Sequence, residues 1–160
     1  MRAGFKKVVF VIRRDIYDDM KKIFFDQWTH KIEIDYVFQE LNDLPGGYTA
    51  PPDRVKPWGT GHAIWVAREK ISEPFCMINA DDFYGRKSFE LAAGFLRNMD
   101  NLIQSRYALI GYILKNTLSE HGFVSRAECE TDDTGKLTAI TERLKIMREG
   151  ELRIRFLKYT

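Results

Sequence analysis

Two short constellations in this chain hold residue types that do chemistry. Asp81 and Asp82 close the apolar run Phe75-Cys-Met-Ile-Asn-Ala80, so at least one carboxylate is expected on a rigid strand end. Magnesium keeps several waters and takes only one or two protein carboxylates, with substrate phosphates completing its shell. A single aspartate there suffices to seat a metal–nucleotide complex. The pair also reads as a helix N-cap and a solvated acid ahead of the helix expected near Ser88. Gly59-Thr60-Gly61 opens another expected helix. Glycines let a ligand approach the backbone closely, and a helix N-terminus presents free N–H groups to an anion or a base edge. Taken alone, these three residues read as a helix cap with nothing bound.

The remaining candidates carry less. His62, next to the glycine turn, could contact a ligand, but a lone His in a first helical turn is more often a surface residue, and His30 and His121 have no Cys or His partners at zinc spacing. Trp28, Trp58 and Trp65 read as packing residues, with Trp58, beside the glycine turn, the one placed to meet a ligand. Arg13-Arg14, Lys21-Lys22, Arg153 and Arg155 read as solvated faces.

The elements that must position these residues follow from the hydrophobic pattern. The run Val-Val-Phe-Val-Ile at 8–12, bounded by basic residues, reads as a strand buried on both faces. Asp15 can cap a helix whose apolar face is Ile16, Met20, Ile23 and Phe24. A second strand is expected from Ile34 to Gln39. The loop from Glu40 to Trp58 then holds Pro45, Gly46, Gly47, Pro51, Pro52 and Pro57, and loops this long inside a domain are usually functional. A second helix carries Ile64, Ala67 and Ile71 and stops at Pro74. Residues 75–78 and 108–114 read as further interior strands. A third helix between them carries Phe89, Ala92, Leu96 and Met99. Beyond 115 the pattern turns antiparallel. Residues 122–130 and 136–142 flank the turn Asp132-Asp133-Thr134-Gly135, and 145–147 and 151–157 flank Glu149-Gly150, with Leu152, Ile154 and Phe156 facing one way.

This order predicts an α/β fold: a Rossmann-like, mostly parallel sheet with helices on both faces, followed by antiparallel hairpins. It predicts one domain, an α/β part over 1–115 and a β-hairpin part over 116–160. Ligands in such sheets bind at the carboxyl ends of the strands, and both constellations are expected there.

The totals agree with a globular chain. Of 160 residues, 44% are hydrophobic and 30% charged, which excludes a disordered tail. The net charge of +2 is evenly mixed, so no basic stripe points to nucleic acid. No apolar run approaches the roughly 20 residues of a membrane helix. No signal peptide is expected ahead of the first strand, and Cys76 and Cys129 read as buried thiols in a reducing cytoplasm.

The stretch Lys56-Pro-Trp-Gly-Thr-Gly-His-Ala63, followed by Ile78-Asn-Ala-Asp-Asp-Phe-Tyr-Gly85, resembles the sugar-1-phosphate nucleotidyltransferase family, which makes nucleotide-sugars. Glu120-His-Gly-Phe-Val124 and Thr141-Glu-Arg-Leu-Lys145 look like two further segments of that family, in the family's order. The resemblance implies that Gly59, Thr60 and Gly61 hold the nucleotide and that Asp81 binds catalytic magnesium. Asp82 is a second metal candidate, at a position where the family varies. Glu142 and the displaced Lys145 would reach the sugar and its phosphate. The substrates implied are a nucleoside triphosphate and a sugar-1-phosphate, with no nucleic acid or membrane partner.

The family opens on a strand and a Gly-x-Gly-x-Arg loop that cradle the triphosphate. Met1-Arg-Ala-Gly-Phe5 instead resembles the end of the family's first helix. An incomplete domain is therefore expected, weak or inactive in turnover. Its sheet edge, left unpaired by the missing strand, would invite self-association. Two other classes fit the same residues: a glycosyltransferase of related fold that consumes a nucleotide-sugar, and a non-catalytic nucleotide-binding or assembly module.

Overall fold

The structure, a computed structural model, describes residues 2–99, 106–149 and 153–156. The chain divides into two compact units, Met1–Ala108 and Leu109–Thr160.

The first unit is built on two parallel strands, β1 (Lys7–Ile12) and β2 (Glu33–Phe38), in register from Lys7↔Glu33 to Ile12↔Phe38. Gln39 extends the ladder by one bond, its N–H donating to the Ile12 carbonyl at 2.9 Å. Between the strands runs a helical stretch: a 3-10 turn (Arg14–Ile16), α1 (Tyr17–Met20), a π-helical turn (Lys21–Phe25) and α2 (Asp26–Trp28). Its aromatic side chains cover one face of the strand pair. Phe25 lies 5.3 Å from Phe10 of β1 and stacks at 5.6 Å on Tyr36 of β2, and Tyr17 closes on Tyr36 at 4.7 Å. On the alternate positions, Lys7 and Asp35 meet the segment beyond the next helix, where the Lys70 ammonium lies 3.1 Å from the Asp35 carboxylate. Period-two alternation thus gives the strand pair two differently covered faces.

The helix ahead of β2 departs from its expected phase. Ile23 and Phe24 are exposed and Phe25 is buried. The π-turn accounts for this, because one extra residue in a helical turn rotates everything after it by one position. Met20 is followed on the inner face by Phe25 rather than by Ile23 or Phe24. Asp15 does not cap the helix; its carboxylate is held by the Arg13 guanidinium at 2.6 Å.

After the loop 40–58 come α3 (Thr60–Val66) and α4 (Gly85–Arg97). Val66, Ala67, Ala92 and Ala93 supply their buried faces. Phe89 meets Phe5 edge-on at 6.5 Å, and Arg97 donates to the Ala3 carbonyl, so α4 packs on the segment entering β1.

The expected interior strands at 75–78 and 108–114 are not present as strands, so among the described residues the parallel sheet is the pair β1–β2 rather than a wide parallel sheet. Phe75, Met77, Ile78, Leu109 and Ile113 are each 46–66% exposed. An apolar run becomes a strand only when a neighbour satisfies its backbone N–H and C=O groups. Neither segment is paired in a ladder with a strand among the described residues.

The second unit is a three-stranded antiparallel sheet in the order β3 (Val124–Thr131), β4 (Leu137–Glu149) and β5 (Arg153–Phe156). Its tight turn is the expected one. The Asp132 carboxylate accepts from the Thr134 N–H, the Thr134 hydroxyl and the Lys136 N–H, while Gly135 takes φ +80°. The hydroxyl bond, together with those main-chain N–H groups, holds Asp132 below the usual carboxylate range. β4 and β5 pair from Ile146↔Phe156 to Glu149↔Arg153. The expected turn residue Gly150, with Leu152 and Leu157, lies outside the described residues.

No helix among the described residues is long and apolar enough to cross a membrane. Cys76 and Cys129 are free but exposed, not buried as the apolar sequence around them suggested. The unpaired state of residues 75–78 explains Cys76, and Cys129 lies on a largely exposed β3.

Candidate functional site

The carboxyl ends of β1 and β2 open onto a crevice of about 280 Å³ lined by Arg13, Arg14, Gln39, Glu40, Val55 and Pro57. Arg14 lies 4.0 Å over the Phe38 ring and pairs with Glu40 at 2.9 Å, while Arg13 is taken by Asp15. Both guanidiniums remain largely exposed, as expected of solvated side chains.

The glycine turn sits at the carboxyl end of β2. Gln39 Nε2 donates to the Trp58 carbonyl at 3.1 Å and lies 3.5 Å from the Gly59 carbonyl, tying the start of α3 to the strand end. Gly59 is the N-cap of α3 and no side chain caps the helix, so Thr60 is not a capping residue. Gly59 has φ −72°, a value open to any residue, and a Cβ built on either Gly59 or Gly61 would meet nothing within 4 Å. Neither backbone conformation nor packing therefore calls for glycine here. What the two glycines provide is unobstructed main chain.

Trp58 is a packing residue. Its indole N–H donates to the Leu41 carbonyl at 2.9 Å, and the Arg54 guanidinium lies 3.5 Å over its ring. His62 is not a free surface residue, contrary to its sequence reading. Its Nδ1 lies 3.1 Å from Gln39 Nε2, and its Nε2 makes a short bond to the Asp43 carbonyl. Gln39 and His62 are the residues that sequence reasoning missed. The available signal was a polar residue at the carboxyl end of a buried strand and a His one turn into the next helix.

Asp81 and Asp82 lie in a turn ahead of α4, not on a strand end. The two carboxylates differ. Asp82 accepts from Asn79 Nδ2 at 2.9 Å and lies 3.4 Å from the Tyr84 hydroxyl, which itself receives the Asn79 N–H. Asp81 is exposed and carries no hydrogen bond or ion pair among the described residues. No group of three or more His, Cys, Asp or Glu that could hold a metal occurs among those residues. Asp81 alone fits a metal in one manner only, as a single protein ligand to an ion whose other ligands are water and phosphate.

Glu142 and Lys145 belong to the second unit, on β4. Glu142 is exposed and faces Ala127 across the ladder. Between them and the strand end the register slips: Val124 pairs with Ile146, but Arg126 pairs with Arg143. β4 carries one extra residue there, and the Ser125 hydroxyl bonds the Leu144 carbonyl at 2.7 Å. A bulge re-aims the side chains around it, and Lys145 lies in this one, its ammonium 5.6 Å over the Phe123 ring.

Compared with protein-family models and with curated proteins, the chain matches none.

Proposed function

We propose that this chain is a nucleotidyltransferase-like domain that binds a metal–nucleoside triphosphate. Its parent reaction is attack of a sugar-1-phosphate oxygen on the α-phosphorus, giving a nucleotide-sugar and pyrophosphate. The observation that carries the reading is the open glycine turn at the carboxyl end of β2, where glycine serves neither backbone strain nor packing. In open α/β sheets that end of the strand is where ligands lie. Base or ribose would rest against Gly59, Thr60 and Gly61.

Asp81 is the metal-binding candidate because its carboxylate is uncommitted among the described residues, whereas Asp82 is tied to Asn79. Bound magnesium would neutralise phosphate charge, which is most of what phosphoryl transfer requires of a protein besides positioning. Glu142 and Lys145 are the sugar-side candidates. The finer architecture we propose with this function is Rossmann-like, and the setting is cytoplasmic.

Calorimetric titration with magnesium and each common nucleoside triphosphate tests the reading. Wild type and Asp82→Ala should bind in a magnesium-dependent manner, and Asp81→Ala should not. The folded fraction of Asp81→Ala should match wild type, since that side chain has no hydrogen bond or ion pair among the described residues. Equal affinities for wild type and Asp81→Ala would remove the metal site. No binding by wild type would remove the proposal.

A further inference from the structure

We propose that His62 is a positioning residue, a proton-sensitive latch that holds the loop 40–58 closed and so places the 59–61 turn. The inference deepens the nucleotide-binding reading by naming what shapes that site.

The protonation state follows from the hydrogen bonds. The Trp58 carbonyl can only accept, so the nitrogen of the Gln39 amide must face it. The same NH2 group lies 3.1 Å from His62 Nδ1 and has no lone pair to offer. Nδ1 is therefore the acceptor and carries no proton. The ring proton sits on Nε2 and is donated to the Asp43 carbonyl, which likewise can only accept. Neutral imidazole satisfies both partners. Imidazolium has two donors and no acceptor, so it sets one N–H group against another at Gln39.

These bonds fasten the loop at both ends. Asp43 lies near its start and Trp58 at its close, and the Trp58 indole bonds Leu41 across the base. The charged groups around His62 come from each neighbouring element. Arg54 of the loop lies over the Trp58 ring, and Arg68, beyond α3, over the Trp65 ring. These indoles have their centroids 6.2 and 5.7 Å from the imidazole. Of the nearby carboxylates, that of Glu40 is held by Arg14, and that of Asp43 makes no ion pair among the described residues. Protonation of His62 breaks the Gln39 bond, loosens the loop and releases the main chain leading into Gly59.

The test is hydrogen–deuterium exchange of the free protein, corrected for intrinsic rates, from about pH 8 to about pH 5. It uses no nucleotide, so its failure is distinct from failure of the binding proposal. Protection of amides 41–58 in wild type should fall on acidification by roughly five- to ten-fold, the size of one lost hydrogen bond, while β1 is unchanged. His62→Gln offers a neutral acceptor and donor and should keep the loop protected throughout. His62→Ala should leave it unprotected at every pH. Wild-type protection that does not vary with pH, or a His62→Gln profile that falls as wild type does, overturns the latch.

Discussion

Gln39 Nε2 donates to the Trp58 carbonyl at 3.1 Å, so a loop of nearly twenty residues begins and ends at the same side chain. Gln39→Leu keeps the size but leaves the Trp58 carbonyl and His62 Nδ1 without this donor. An orphaned polar group costs about 1–3 kcal/mol when buried, and these groups are only partly so. We expect a loss of about 1 kcal/mol in urea unfolding. A stability equal to wild type would show that water replaces the amide at no cost.

The glycines separate into two kinds. Gly135 has φ +80° in the β3–β4 turn, so Gly135→Ala should cost about 1 kcal/mol although nothing crowds its Cβ. Gly59→Ala should change stability by less than about 1 kcal/mol, because its φ of −72° suits alanine and the unfolded chain loses freedom, while glycine is the better N-cap of α3. The same Gly59 variant should weaken nucleotide binding, since the added methyl occupies the open main-chain surface. Paired melting curves and titrations check this. A Gly59→Ala protein that binds as wild type does would mean the open surface is not the contact.

Asp35 links stability to pH. Partial burial pushes its pKa up, but the Tyr36 N–H and the ammonium groups of Lys70 and Lys7 outweigh that and hold it below the usual aspartate range. A folded pKa below the unfolded one gives stability that is complete above the ordinary value of about 3.9 and lost as pH falls through the folded value. With the side chain 27% exposed, we expect no more than about 1 kcal/mol. Urea melts of wild type and Asp35→Asn should differ at pH 6 and converge toward pH 3. A constant difference across that range would assign the effect to something other than this carboxylate's charge.

Among the described residues β1 and β2 each have one neighbour, which leaves each an unpaired edge, and residues 75–78 add exposed apolar surface in the same unit. Exposed edges of this kind template pairing with another chain. We expect apparent mass to rise with concentration in light scattering, and Val9→Pro, which removes a strand N–H donor, to change it. A monodisperse monomer at all concentrations would count against self-association through this edge.

The sequence by itself determined those elements whose signal is local. Val-Val-Phe-Val-Ile at 8–12 became β1, the Phe89-Ala92-Leu96 face became α4, and Asp132 to Gly135 became a tight turn. In each, the residues that decide the conformation lie within a few positions of one another. The tertiary structure alone decided the rest, for reasons of partnership. Residues 75–78 are as apolar as β1 but are not a strand, because strand formation depends on a neighbour. Asp81 and Asp82 are told apart locally instead, since Asn79 and Tyr84, three and two positions away, hold Asp82 alone. His62 looked like a surface residue until Gln39 and the Asp43 carbonyl were brought to its two nitrogens. A side chain's chemistry depends on which donors and acceptors surround it, and here those come from positions about twenty residues away.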